Sequence, residues 1–350
     1  MCNENKKSSV LLIFTGGTIS MGENSGTGSL SPLDTERVLG FVPELKMLNV
    51  NLASVSFSPL IDSSDVEPSV WVRIAQIVEE NYDKFDGFVV LHGTDTMSYS
   101  ASALSFMFNN LRKPVIFTGS QLPVGVLRSD AKENLITAIE LAADKDEQGN
   151  AMVPEVALFF EGQLMRGNRT TKRSAEEFDA FASFNYHLLA KAGVHVKYFP
   201  EYIHYEHSNI RMSIDTACSN EIAILKLFPG IRKENVEAVL NIPGLRGVVL
   251  ETFGSGNAPR AEWFYNLLKE ANDRGIVFVN VSQCRAGSVE MGRYETSLNL
   301  KRAGVVSGHD MTLEAAATKL MMVLGRTTDS AEAREMLEMP LRGEMTLFED

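Results

Sequence analysis

The sequence predicts an α/β protein, with a larger N-terminal domain built on a mostly parallel sheet with helices on both faces and a smaller C-terminal α/β domain. Three observations carry this expectation. Apolar runs of strand length alternate with segments whose apolar residues recur at helical spacing, the rhythm of strand-helix-strand units. The runs VLLIF from Val10 and GFVVL from Gly87 are apolar at nearly every position, as in strands covered on both faces. The rhythm also breaks between residues 199 and 220 and then starts afresh, giving an expected division into 1–198, a connection 199–220, and 221–350.

Taken in order, the first strand empties into TGGTIS, where Gly16 and Gly17 permit a sharp turn and leave Thr18 as the first hydroxyl beyond it. The glycine- and serine-rich stretch 21–33 has little with which to pack a core and is expected to be a surface loop, either a plain excursion or a lid. Strand character returns over Asn51–Ser58, and Ser64 or Asp65 with Pro68 reads as the start of a helix through VWVRIAQIVEENY. The strand GFVVLH delivers Thr94 and Asp95 much as the first delivers Thr18, and SASALSFMFNNL follows with helical spacing. KPVIFTGSQLP is a short strand ending in a turn, RSDAKENLITAIELAAD a capped amphipathic helix, and VALFFEGQLMRGNRTTK one more strand with a polar, basic loop after it. Beyond the break, strands in EIAILKLFPG, RGVVLETFG and IVFVNVSQC alternate with helices in RKENVEAVLN and AEWFYNLLKEANDRG, and the chain closes on helices through AAATKLMMVLG and SAEAREMLEM.

The 350 residues suffice for about two domains. A net charge of -12 and the absence of a basic stripe argue against nucleic acid or an anionic membrane surface as partner. Only three cysteines occur, Cys2, Cys218 and Cys284, without a C-x-x-C pair, so neither a disulfide framework nor a thiolate metal site is indicated. The polar start MCNENKKSS has no apolar signal core, and no apolar run approaches the length of a membrane span, which makes the cytoplasm the expected location.

For chemistry, a hydroxyl nucleophile needs a proton acceptor, commonly a histidine oriented by a carboxylate. None of the six histidines lies in such a motif: His92 at a strand end reads as a packed, hydrogen-bonded side chain, and His204 and His207 have ligand spacing but no third ligand. What remains is Thr18, Thr94, Asp95 and Lys172, each placed after a strand. A lysine beside a carboxylate and shielded from solvent can have its proton affinity tuned, and a neutral amine can accept a proton from a threonine or a water. The glycine-rich GTGSL and FGSGNAP fit neither phosphate-binding pattern.

Together TGGTIS, HGTDTMSYSASALSFM, GSQLP, GNRTTK and GNAP resemble the bacterial L-asparaginase family, and most closely its cytoplasmic type I branch. The resemblance spans nearly the whole chain in order. It implies hydrolysis of L-asparagine to aspartate and ammonia without metal or cofactor, in homodimers often paired into dimers of dimers, each site closed by the neighbouring subunit's C-terminal domain. It assigns Thr18 as nucleophile, Thr94, Asp95 and Lys172 as supporting relay, and Asp95 also as the group that holds the substrate ammonium. It places Ser63, with Ser64 beside it, at the substrate α-carboxylate, Ser120 at a backbone carbonyl near the substrate amide, and Asn257 where a neighbouring subunit reaches in. Two departures stand out. The stretch 21–33 lacks the tyrosine common in the family. Thr171 and Cys284 match an effector site for a second asparagine, but Glu251 stands where an arginine would bind the effector's carboxylate, a charge reversal that should repel it. The competing readings are a glutamine-preferring amidohydrolase, an amidase subunit of a tRNA-dependent amidotransferase, which would call for a further domain and a basic surface, and a non-catalytic amino-acid sensor.

Overall fold

A computed structural model describes residues 7–23, 30–32, 35–291 and 295–347. The chain forms two compact units, divided between Asp215 and Thr216. In the first unit the strands β1 (Ser8–Gly16), β2 (Val50–Ile61), β3 (Gly87–Leu91), β4 (Val115–Thr118), β5 (Val156–Phe160), β6 (Gln163–Arg166), β9 (Ala190–Lys191) and β10 (Lys197–Tyr198) make one sheet, ordered β10-β9-β6-β5-β4-β3-β1-β2. The two-residue strands β7 (Thr171–Lys172) and β8 (Phe181–Ala182) pair outside it. From β2 through β5 all pairing is parallel, so these strands present their carboxyl ends along one edge.

The helices of this unit are α1 (Thr35–Gly40), α2 (Pro68–Asn81), α3 (Met97–Met107) and α4 (Ala131–Ala143). Alternation along β1 explains the double covering: Val10, Leu12 and Phe14 join Leu135, Ala138 and Ile139 of α4 in one core, while Leu11 and Ile13, equally buried, point to the other face. The start of α2 differs from the sequence expectation. Ser63–Asp65 forms a separate 3-10 turn capped by the Asp62 side chain, and the α-helix begins at Pro68, because proline suits a first helical turn and holds Glu67 extended.

The segment read as one strand from Val156 is a hairpin instead. Glu161 and Gly162 both take positive φ, 45° and 75°, which turns the chain within two residues and lays β6 antiparallel to β5. Residues 199–215 are built into the first unit: Ile203 joins its core, and Ser213–Ile214 pairs with Phe108–Asn109.

The second unit holds β11 (Ile222–Lys226), β12 (Gly247–Thr252), β13 (Val277–Ser282) and β14 (Val305–Ser307), parallel and in that order, with helices α5 (Lys233–Leu240), α6 (Glu262–Asp273), α7 (Glu295–Arg302), α8 (Leu313–Arg326) and α9 (Ser330–Glu338). Val236, Phe264 and Leu268 pack against Leu225, Val248 and Phe278 to make its core. After α9 the chain is fastened by a fully buried ion pair, Lys319 Nζ to Glu344 Oε1 at 2.7 Å. Lys319 also donates to the carbonyls of Leu337 and Met339, and Glu344 accepts from the backbone of Leu341 and Arg342. Among the described residues no helix is long and apolar enough to cross a membrane.

Candidate active site

Four loops at the carboxyl edge of the first sheet carry the polar groups, the usual place for a site in an open α/β sheet. After β1 the chain turns through Gly16 and Gly17, with φ 139° and 82°, into a 3-10 turn Thr18–Ser20. Neither glycine can be replaced without collision: a Cβ on Gly16 would stand 2.1 Å from Ile61 O, and one on Gly17 would stand 2.3 Å from Gly93 Cα. The turn therefore brings the Thr18 loop directly against the loop after β3. Thr18 is partly buried, while Thr94 is almost wholly so.

Lys172 reaches this region from β7. Its Nζ donates to Thr94 Oγ1 at 2.8 Å and to Asp95 Oδ1 at 2.7 Å. The Lys172 side chain is 18% exposed and that of Asp95 65%, so the amine is screened while the carboxylate faces outward, available to a soluble cation. Of these three residues, placed in the sequence by their position after strands, Lys172 is brought within hydrogen-bond distance of both others.

Thr94 has another neighbour that sequence reasoning missed. Gln121 Nε2 donates to Glu177 O at 3.1 Å, which fixes the amide's orientation and turns Oε1 toward Thr94 Oγ1 at 3.3 Å. With Lys172 Nζ donating to its oxygen, the Thr94 hydroxyl directs its own proton to Gln121. Asp130, 8% exposed at the start of α4, holds this loop by accepting from the backbone N–H groups of Gln121 and Leu122. The available signal was the GSQLP motif itself, in which Gln121 directly follows the residue singled out.

Ser63 is 4% exposed and packs over Gly93, where an added Cβ would stand 2.4 Å from Ser63 Oγ. Thr96 Oγ1 donates to Ser63 O at 2.7 Å and anchors that backbone. Ser64 differs in being already engaged: its N–H and its hydroxyl both donate to Asp62 Oδ1 at 2.9 Å, and these bonds hold the Asp62 carboxyl below its ordinary range. Ser120 is buried, and its hydroxyl is already engaged, donating to Leu122 O at 2.6 Å.

His92 is packed, as its sequence position suggests. Its Nδ1 lies 2.7 Å from Gly93 O; a carbonyl can only accept, so Nδ1 carries the proton. Nε2 then accepts from Ser100 Oγ at 2.9 Å, and Ser100 in turn accepts from Trp71 Nε1 at 3.0 Å. Burial without a charged partner lowers the imidazole to about 4, so it stays neutral. His204 and His207 are exposed.

Thr171 pairs with Ala182 beside Lys172. Asn257, Glu251 and Cys284 lie in the second unit: Asn257 closes a tight backbone turn with Phe253, Glu251 is buried with Lys226 Nζ 3.3 Å away, and Cys284 is exposed. Residues 24–29 and 33–34 of the glycine-rich stretch lie outside the described residues; Met21–Glu23 and Leu30–Pro32 pair as a short ribbon.

A shielded amine between a threonine hydroxyl and a carboxylate, at the loop edge of a parallel sheet, is an arrangement suited to proton transfer. Residues 9–204 match the family model described as asparaginase, N-terminal, and residues 221–337 that described as the glutaminase/asparaginase C-terminal domain. The chain belongs to the asparaginase family. It is 43% identical over 346 residues to L-asparaginase 1 of Escherichia coli (strain K12), an alignment covering 97% of this chain and 99% of that protein. The crystal structure of L-asparaginase I from Vibrio cholerae matches with a TM-score of 0.88 at 40% identity, over 97% of this chain and 100% of that one. The thermostable L-asparaginase from Thermococcus kodakarensis matches with a TM-score of 0.86 at 32% identity, over the same shares.

Proposed function

We propose that this protein hydrolyses L-asparagine to L-aspartate and ammonia in the cytoplasm, as a homo-oligomer, with Thr18 as nucleophile. The observation that carries the reading is the placement of Lys172 Nζ, 2.8 Å from Thr94 Oγ1 and 2.7 Å from Asp95 Oδ1. Thr18 Oγ attacks the side-chain amide carbon, its proton passes to the departing nitrogen, and ammonia leaves an acyl ester on Thr18. Water, deprotonated at Thr94 and Lys172, then cleaves that ester and frees aspartate and the threonine hydroxyl. The outward-facing Asp95 carboxylate takes the substrate ammonium, Ser63 the α-carboxylate, and Asn257 contributes from a neighbouring subunit.

Ammonia release by the purified protein, measured over a wide range of L-asparagine and of L-glutamine, tests this with Thr18→Ala as control. The expected result is asparagine-preferring turnover that Thr18→Ala abolishes. Glutamine preference would move the assignment to the neighbouring substrate, and substantial turnover in Thr18→Ala would end the role of Thr18. Because the resemblance matches Glu251 to the arginine that would bind the effector's carboxylate, the asparagine curve is expected to be hyperbolic; a sigmoidal curve lost on Thr171→Ala would overturn that.

A further inference from the structure

The loops that carry Thr18 and Thr94 leave neighbouring strands at the point where regular pairing stops. Between β1 and β3 the last paired residues are Phe14 and Leu91. Toward β2 the register jumps from Phe14 opposite Ser56 to Gly16 opposite Ile61. Thr15 thus has no partner residue in either flanking ladder. β3, on its far side, is bonded one residue further, His92 N donating to Thr118 O at 2.9 Å. Here, where the ladder ends, a side chain adds a bond: Thr15 Oγ1 donates to Leu91 O at 2.9 Å, with the residue 2% exposed.

Two residues beyond this bond, on each strand, Gly17 meets Gly93 backbone to backbone. That contact is a wall. It stops the loops from coming closer but has little attraction to stop them from parting, since dispersion between a few atoms is worth only tenths of a kcal/mol. The Thr15 hydroxyl adds an opposing restraint at the end of the ladder that pairs the two strands. We propose that Thr15 is a positioning residue for the reaction, its hydroxyl tying the carboxyl ends of β1 and β3 at the separation that seats the Thr18 loop against the Thr94 loop. The inference rests on the assignment of Thr18 and Thr94 to the chemistry. A β-branched side chain suits the role, because its restricted rotamers hold the hydroxyl toward Leu91 O.

The test compares Thr15→Val, which keeps the shape and removes the donor, with Thr15→Ser, which keeps the donor. Steady-state ammonia release from asparagine is the readout, with Thr18→Ala run in parallel. Because misplacement by an ångström at a reacting centre costs up to about a hundredfold, Thr15→Val is expected to lower kcat by roughly 10- to 100-fold. KM should change by less than about threefold, as for a residue that touches no substrate. Thr15→Ser should restore most of kcat. Native kcat in Thr15→Val, or equal losses in Thr15→Val and Thr15→Ser, would overturn the inference. If Thr15→Val does not fold, Thr15→Ala and Thr15→Ser are compared at equal folded fraction by circular dichroism, and equal kcat there overturns it as well. Turnover surviving in Thr18→Ala is a different outcome: it removes the nucleophile assignment whatever Thr15 does.

Discussion

Gly93 is packed between Gly17 and Ser63: a Cβ placed on it would stand 2.4 Å from Ser63 Oγ and 3.2 Å from Gly17 Cα. Three loops from three strands therefore meet over one residue that has no side chain. Gly93→Ala must push Ser63 out of its buried 3-10 turn or part the loops. Since small displacements at a reacting centre are costly, kcat/KM is expected to fall by about 100-fold or more. Steady-state kinetics on the folded variant checks this, and kinetics close to native would show that the contact is not tight in solution.

Lys172 is expected to act through its proton as well as its charge. Removal of a positioned acid-base group typically costs about 10²- to 10⁴-fold, so Lys172→Met should lose turnover on that scale. Lys172→Arg should not recover it, because a guanidinium stays protonated and cannot accept a proton from Thr94 or from water. Recovery in Lys172→Arg beyond a tenth of native kcat would reduce the residue to an electrostatic anchor.

The buried, neutral His92 makes the fold sensitive to acid. Its imidazole protonates near 6.5 in the unfolded chain and at about 4 in the folded protein. Between these values the unfolded chain binds more protons, so the contribution is intact above pH 6.5 and is lost as pH falls to 4, by roughly 3 kcal/mol in all. Urea unfolding at several pH values should show stability declining through this window, with His92→Gln giving a shallower decline. An unchanged slope in His92→Gln would locate the acid sensitivity elsewhere.

The fully buried pair Lys319 and Glu344 fastens the end of the chain. Glu344→Ala leaves an ammonium buried without its counter-ion, a change that typically costs about 3 to 5 kcal/mol. The expected result is a lowered melting temperature with kcat retained at temperatures where the protein stays folded. The double replacement Lys319→Met with Glu344→Leu should be less harmful than Glu344→Ala alone, since it buries no lone charge. Thermal melts of the three proteins decide the order.

Much of the site was legible in the sequence because strands of a parallel sheet deliver their polar residues to one edge. Thr18, Thr94 and Lys172 each follow or end a strand, and the geometry joins Thr94, Asp95 and Lys172 as that placement suggests. Gln121 and Asp130 were not legible as functional residues. Their roles come from contacts made after folding, with Glu177 and with the backbone of residues 121 and 122; the GSQLP motif marks the place of Gln121, but no local pattern announces what it or Asp130 touches. The hairpin at Glu161 was hidden for a different reason. A non-glycine residue at positive φ carries no periodic signature, so VALFF and QLMR read as one strand. Residues 199–215 lack periodicity altogether, yet Ile203 is buried in the first unit's core.

The order in which the chain is made gives the sheet a further meaning. β1 through β4, with Thr18 and Thr94, are synthesised before β7, whose Lys172 is the group that bonds Thr94 and Asp95. Domains fold from the N-terminus as they emerge from the ribosome. A nascent chain that has paired its first four parallel strands thus holds both threonines before the lysine that bonds Thr94 and Asp95 has been made.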